Sequence, residues 1–66
     1  MFSIGTEVKF EIAPKQYTNG LITLIFSHLT EERASFAMYV ILKVTDNDDA
    51  IYYVRTVEQM SADLDF

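Results

Sequence analysis

Apolar and polar residues alternate along the first part of the chain. Every second position of residues 8–12 is apolar, and charged residues fill the positions between. A period of two is typical of a half-buried strand, so the pattern predicts a first strand over residues 6–12. Its buried face holds Val8, Phe10 and Ile12, and its solvated face holds Glu7, Lys9 and Glu11. Ala13-Pro14 ends the alternation, and Asn19-Gly20 is a strong turn signal. We expect a loop between them.

Two further apolar segments predict two more strands. Residues 21–27 are apolar on both alternating faces, with Ile22, Leu24 and Phe26 on one and Ile25 on the other. We therefore expect this strand to be partly covered on both sides. Residues 30–33 are polar and predict a loop. Residues 35–45 form the longest strand candidate, whose length favours a bend. Its two faces are Phe36, Met38, Val40, Leu42 and Val44, and Ala37, Tyr39, Ile41 and Lys43.

The last third of the chain predicts a hairpin followed by a helix. Residues 46–49 have turn composition and residues 50–55 return to strand character, so residues 35–55 are typical of a hairpin. Thr56 and Gln59 have the spacing of a helix capping box. Val57, Met60 and Leu64 then fall on one helical face. We expect a short C-terminal helix that covers an open end of the sheet.

These elements predict one small, mostly β domain over residues 1–66. The chain has 66 residues, fewer than the roughly 100–150 of a typical domain, so it holds a single core. We expect a strongly bent antiparallel sheet, or a small barrel, of about five strands. Because the chain contains no cysteine, its stability is expected to come from apolar burial rather than from disulfides or thiolate-bound metal.

Three segments of the chain resemble a known family. Gly5-Thr6-Glu7-Val8-Lys9-Phe10 is followed by Asn19-Gly20-Leu21-Ile22, and later by Tyr53-Val54-Arg55 ahead of a short acidic end. This order is similar to the SH3-like barrels of the Tudor or KOW kind, in which a G-x-x-V-x-F strand precedes a G-x-I-x-x-I strand. The resemblance implies a five-stranded binding scaffold without catalytic residues. KOW-type nucleic-acid binders are generally basic, whereas this chain is acidic.

The net charge narrows the range of partners. Five Lys and Arg stand against ten Asp and Glu, for a net charge of −5, which argues against direct binding to nucleic acid. The expected partner is a protein with a basic surface. No apolar run is long enough to cross a bilayer and no signal peptide is evident, so we expect a cytoplasmic protein without membrane contact. In size, acidity and lack of cysteine, the chain is similar to small phage-encoded inhibitor proteins.

No set of residues points to catalysis, to a metal or to a cofactor. Asp46, Asp48 and Asp49 do not match an EF-hand loop, since the sixth and twelfth positions from Asp46 are Ile51 and Val57 rather than glycine and glutamate. His28 is the single histidine of the chain. Its neighbour Ser27 points to the opposite face of the strand, so the two form no nucleophile–base pair. We therefore expect a non-enzymatic protein.

The second half of the chain holds the candidate binding residues. Residues 34–66 contain six acids and two bases. Tyrosine is enriched at protein interfaces, so the two tyrosines between these acids join the candidate set. We predict that a partner protein is bound by Asp46, Asp48, Asp49, Tyr52, Tyr53, Glu58, Asp63 and Asp65. The expected function is to inhibit or modulate a basic partner, for example by occluding its nucleic-acid site.

Two other functions stay open at this point. One is a nucleic-acid-binding SH3-like or OB-like module that uses Tyr52, Tyr53, Lys43 and Arg55. The other is a structural subunit of a larger assembly, or a homodimer, in which an edge of the strand over residues 35–45 pairs with another chain.

Overall fold

The computed structural model describes residues 2–29 and 35–64. In this part the chain forms β1 (Glu7–Ala13), β2 (Gln16–Leu29), β3 (Ser35–Val44), β4 (Ala50–Thr56), a 3-10 turn (Val57–Gln59) and β5 (Met60–Ser61). The strands make one open antiparallel sheet in the order β4-β3-β2-β1-β5. The predicted mostly β fold of about five strands is confirmed. The loop predicted over residues 30–33 lies outside the described residues.

The first hairpin turns earlier than the sequence predicts. Ala13 pairs with Gln16 across a two-residue turn. Proline presets the backbone at the first turn position, and Lys15 at the second has a φ of 62°. The predicted loop over residues 13–18 is therefore wrong, because the chain reverses within two residues and β2 begins at once.

Asn19-Gly20 lies inside β2 instead of forming a turn. Gly20 pairs with Val8 of β1, so the prediction of a turn there is wrong. Glycine is required at this position for space. A Cβ on Gly20 would lie 2.6 Å from Ile41 Cγ2 and 2.7 Å from the carbonyl oxygen of Leu42. The absence of a side chain lets β2 approach β3 closely at the core.

A β-bulge changes which side chains of β2 face the core. The register between β2 and β3 shifts between Ile22 and Leu24, so the alternation of side chains changes phase. Ile22 is buried, whereas Leu24 and Phe26 are exposed and Ile25 packs against the core. The prediction that Ile22, Leu24 and Phe26 share one face is therefore wrong.

A second irregularity lies near the end of β1. The register between β1 and β2 shifts between Glu11 and Ala13. Ile12 is 38% exposed, although alternation alone places it with the buried Val8 and Phe10. The burial predicted for Ile12 is wrong because the shift interrupts the alternation on which it depends.

A small core occupies one face of the sheet. Among the described residues, five buried side chains form it: Val8, Phe10, Ile22, Tyr39 and Ile41. Phe10 of β1 also packs on Tyr53 of β4, with ring centroids 5.1 Å apart. Because β1 and β4 are not neighbours in the strand order, the sheet must bend to bring these rings together.

Strand β3 lies in the interior of the sheet. It pairs with β2 on one side and, over residues 38–44, with β4 on the other. The expectation that this strand offers a free edge to another chain is therefore wrong for that stretch. Its two predicted faces are confirmed, since Tyr39 and Ile41 point into the core and Phe36 and Val44 are exposed on the other side.

The predicted C-terminal helix does not form among the described residues. The 3-10 turn is three residues long, and the chain then returns to the sheet as β5. There Met60 pairs with Phe10 and packs against the core. The predicted pairing of Thr56 with Gln59 is present, because Gln59 Oε1 accepts the backbone N–H of Thr56 at 3.0 Å. Strand pairing and core contact at Met60 end the helix after one turn.

Candidate protein-binding surfaces

The turn between β3 and β4 gathers three of the predicted binding carboxylates. Asp46, Asp48 and Asp49 are exposed, and we call them the acidic turn. Thr45 holds the turn: its N–H donates to Asp49 O at 2.8 Å, and its Oγ1 accepts the Asp49 N–H at 3.1 Å. These bonds leave the carboxylates free, and among the described residues the three have no hydrogen-bond or ion-pair partner. Their charge is available to a partner molecule.

The two adjacent tyrosines point to opposite sides of β4. Tyr52 is 62% exposed, so most of its ring is open to solvent. Tyr53 is half-buried, packs on Phe10 and has the Arg55 guanidinium 5.2 Å from its ring centre. Tyr52 stands two residues after Ala50, where β4 leaves the acidic turn. Of the predicted pair, Tyr52 lies on the outer face beside the acidic turn, and Tyr53 belongs to the interior.

The remaining predicted acids do not join the acidic turn. Glu58 lies in the 3-10 turn, at the other end of β4. The seven residues of β4 separate the two places by roughly 23 Å at about 3.3 Å per residue. Asp63 follows β5, at the opposite edge of the sheet from β4. Asp65 lies outside the described residues. Glu58 therefore lies apart from the acidic turn, and Asp63 lies on a different strand edge from it.

The basic side chains needed for nucleic-acid binding are engaged within the fold. Arg55 Nε donates to the carbonyl oxygen of Glu11 at 2.7 Å, and Lys43 Nζ donates to Asn19 Oδ1 at 3.4 Å. Arg55 lies on the sheet face opposite to Tyr52, since residues alternate along β4. The set Tyr52, Tyr53, Lys43 and Arg55 is therefore split between two faces.

The outer face of β2, β3 and β4 is apolar. Cross-strand partners share a face, and the register aligns Leu21 with Leu42 and Tyr52, and Leu24 with Val40 and Val54. We call this surface the open face; its exposed members are Leu21, Leu24, Phe26, Phe36, Val44, Tyr52 and Val54. Met38, Val40 and Leu42 lie half-buried among them. Charged residues begin on the neighbouring strand, where Glu7 pairs with Leu21.

Sequence reasoning did not single out the open face as a binding surface. The available signal was the apolar character of residues 21–27 on both faces, which predicts cover on both sides. The structure covers the Ile22 side, whereas Leu24 and Phe26 remain exposed to solvent within the described part of the chain. The bulge at Thr23 determines which of these side chains is covered. The pattern of apolar and polar residues does not predict the bulge.

Comparison with known proteins identified no relative of the chain. No family model matches the chain, and neither the curated proteins nor the solved structures contain a significant match.

Two properties of residues 2–29 and 35–64 bear on the kind of site present. No helix there is long and apolar enough to pass through a membrane. In the same part of the chain, no three His, Asp, Glu or Cys side chains are grouped so that they could hold a metal ion.

A shallow groove lies between the start of β3 and the 3-10 turn. Its volume is about 370 Å³, and it is lined by Phe36, Ala37, Thr56, Val57 and Glu58. Glu58 is the single ionisable group in this lining, so the groove assembles no acid–base pair. Its apolar walls continue from the open face through Phe36.

Proposed function

We propose that this protein is a non-enzymatic binding domain that inhibits or modulates a protein with a basic surface. The observation that carries the proposal is the acidic turn, whose three carboxylates are exposed and have no partner among the described residues. Tyr52 stands beside them on β4 and presents a large aromatic side chain. An aromatic anchor next to unpaired charges is an arrangement that favours protein recognition.

The charge balance favours a basic partner over nucleic acid. The net charge of −5 repels phosphate at long range and attracts cationic surfaces, which raises association rates at low salt. A basic surface that normally holds nucleic acid is the kind of partner such a domain can occlude. Lys43 and Arg55, the cations considered above for nucleic-acid contact, are engaged within the fold, so they are less available to a phosphate backbone.

We further propose that the bent sheet serves as an SH3-like scaffold. Two features support this: β2 pairs with β1 along its first half and with β3 along its second, and β5 follows a 3-10 turn to pair with β1. The contacts of Arg55 and Tyr53 with β1 draw the two halves together. A cytoplasmic location is proposed as well, in keeping with the lack of cysteine in the sequence.

Capture of partner proteins with charge-matched variants tests the proposed function. The test variant carries Asp46→Asn, Asp48→Asn and Asp49→Asn, and the control carries Glu7→Gln, Glu11→Gln and Glu31→Gln. Both lose three negative charges, but only the first alters the acidic turn. Each immobilised protein is incubated with lysate at about 0.05 M and about 0.5 M salt, and retained proteins are quantified by mass spectrometry.

The proposal predicts a basic protein that the wild type and the control retain at low salt. The acidic-turn variant is expected to retain it at least tenfold less, and high salt to release it from all three. Equal retention by the wild type and the acidic-turn variant contradicts the proposal. Equal loss from both variants also contradicts it, because net charge rather than the acidic turn then explains the binding.

A further inference from the structure

The open face is at the upper end of the range of apolar patches found on monomers. Its seven exposed side chains are 41% to 62% accessible. At about 150–220 Å² for each fully exposed side chain of this size, they leave roughly 600 Å² of apolar area in water. The largest patch on a typical monomer is about 300–600 Å², and a standard interface buries about 800 Å² on each partner. The open face approaches the area that a stable interface needs.

The single copy buries little of its apolar surface. Half of its residues are hydrophobic, yet the fully or nearly fully buried set in the described part is five residues on one side of the sheet. Domains of about 60 residues bury only about 60% of their unfolded surface, and many gain the missing stability from disulfides, metals or association. Without cysteine, disulfides are not open to this chain.

We infer that a second copy of this chain covers the open face, so that two sheets pack face to face around a two-fold axis. A single folded copy leaves the apolar side chains of the open face in water. A second copy of the chain is a partner that is present wherever the protein is made. A two-fold interface places the same patch on both sides, which suits a surface that is apolar throughout. The proposed binding to a basic partner does not depend on this interface.

The charge distribution permits this packing despite the net charge of −5. No charged residue occupies a position that faces away from the core on the paired parts of β2, β3 and β4. These parts run from Leu21 to Phe26, from Phe36 to Val44 and from Ala50 to Thr56. The acidic turn lies at one end of the β3–β4 hairpin, beyond the central Leu24 and Val54. A two-fold axis across the strands sets the two acidic turns at opposite ends of the dimer, where they repel least.

The dimer also explains why residues 21–27 are apolar on both sides. Ile22 and Ile25 meet the core of their own sheet. Leu24 and Phe26 point the other way and would form the second core, between two sheets about 10 Å apart. One strand would then serve both cores, and the bulge at Thr23 would divide its side chains between them.

Sedimentation equilibrium of the full chain tests the inference. The wild type is expected to have a mass of about 15 kDa, twice 7.6 kDa, at concentrations of about 0.1 mM. Leu24→Lys and Val54→Lys each bury an unpaired charge in the interface, so each is expected to raise the dimer dissociation constant at least about 100-fold. Ile51→Lys is the matched control, because Ile51 is 40% exposed and lies on the side of β4 opposite to Tyr52 and Val54, so the dimer should persist.

Each result either supports or overturns the inference. A wild type that stays at 7.6 kDa up to about 1 mM overturns it, and so does a dimer that survives both substitutions. If a variant fails to fold, backbone amide NMR of the wild type on dilution decides the location of the interface. Shifts centred on residues 24, 40 and 54 support the open face, whereas shifts centred on β5 or the acidic turn overturn it. The Asp46→Asn, Asp48→Asn, Asp49→Asn variant should remain dimeric, so failure of the dimer is separable from failure of partner binding.

Discussion

Arg55 Nε donates a 2.7 Å hydrogen bond to the backbone carbonyl oxygen of Glu11. The two residues are 44 positions apart, and their strands, β4 and β1, are separated by β3 and β2 in the sheet. The same guanidinium donates through Nη1 to Val54 O at 2.8 Å and lies over the Tyr53 ring. Glu11 stands where the register of β1 shifts. One side chain therefore holds together two strands that only a bend in the sheet brings near each other.

Replacing Arg55 should open this bend. Arg55→Ala removes the bond to Glu11 and is expected to lower the free energy of unfolding by about 1–3 kcal/mol, as for a hydrogen bond from a charged donor. Arg55→Lys should recover little, because an ammonium group cannot donate in two directions with the geometry of a guanidinium. Urea unfolding at one fixed protein concentration measures both. Values within about 0.5 kcal/mol of the wild type for both variants would show that the contact is not structural.

Gly20 should tolerate no side chain. Gly20→Ala places a Cβ within 3.0 Å of Ile41 and of the Leu42 carbonyl oxygen, and the backbone atom cannot move aside without shifting β3. We expect a loss of about 2–3 kcal/mol from overpacking. Gly5→Ala is the control, since Gly5 has a φ of 91° but no atom within 4 Å of the added Cβ. It should cost about 1 kcal/mol of backbone strain, and a reversed order in thermal unfolding would refute the close approach.

Ile22 and Ile12 should respond differently to the same substitution. Ile22 is fully buried, so Ile22→Ala is expected to cost about 2–5 kcal/mol. Ile12 is 38% exposed, so Ile12→Ala is expected to cost less than about 1 kcal/mol. Chemical denaturation of the two variants checks the comparison. Similar losses for both would mean that β1 continues its alternation through Ile12 and that the irregular register is absent in solution.

The strands themselves follow from local patterns. Val8 and Phe10 are apolar positions in a polar strand, and they form the core as predicted. The two faces of β3 and the opposed directions of Tyr52 and Tyr53 follow from the same period of two. The composition of residues 46–49 predicts the acidic turn, because Asp and Asn favour turn conformations. These features need no information from distant parts of the chain.

The errors in the prediction share a non-local cause. Asn19-Gly20 is a turn signal by itself, but Gly20 serves as the gap into which Ile41 and Phe10 pack. Thr56 and Gln59 begin a helix, but Met60 pairs with Phe10 and ends it after one turn. Leu24 alternates with Ile22, but the bulge turns it outward. In each case a contact with a distant strand outweighs a local preference.

The order of residues was enough to predict an acidic, mostly β domain, since periodicity, turn composition and charge are properties of short segments. Only the tertiary structure determined three features: the register shifts, the bend that Arg55 stabilises, and the division of β2 side chains between the core and the open face. Each depends on which residues meet across strands, and burial energy is gained only when distant segments come into contact.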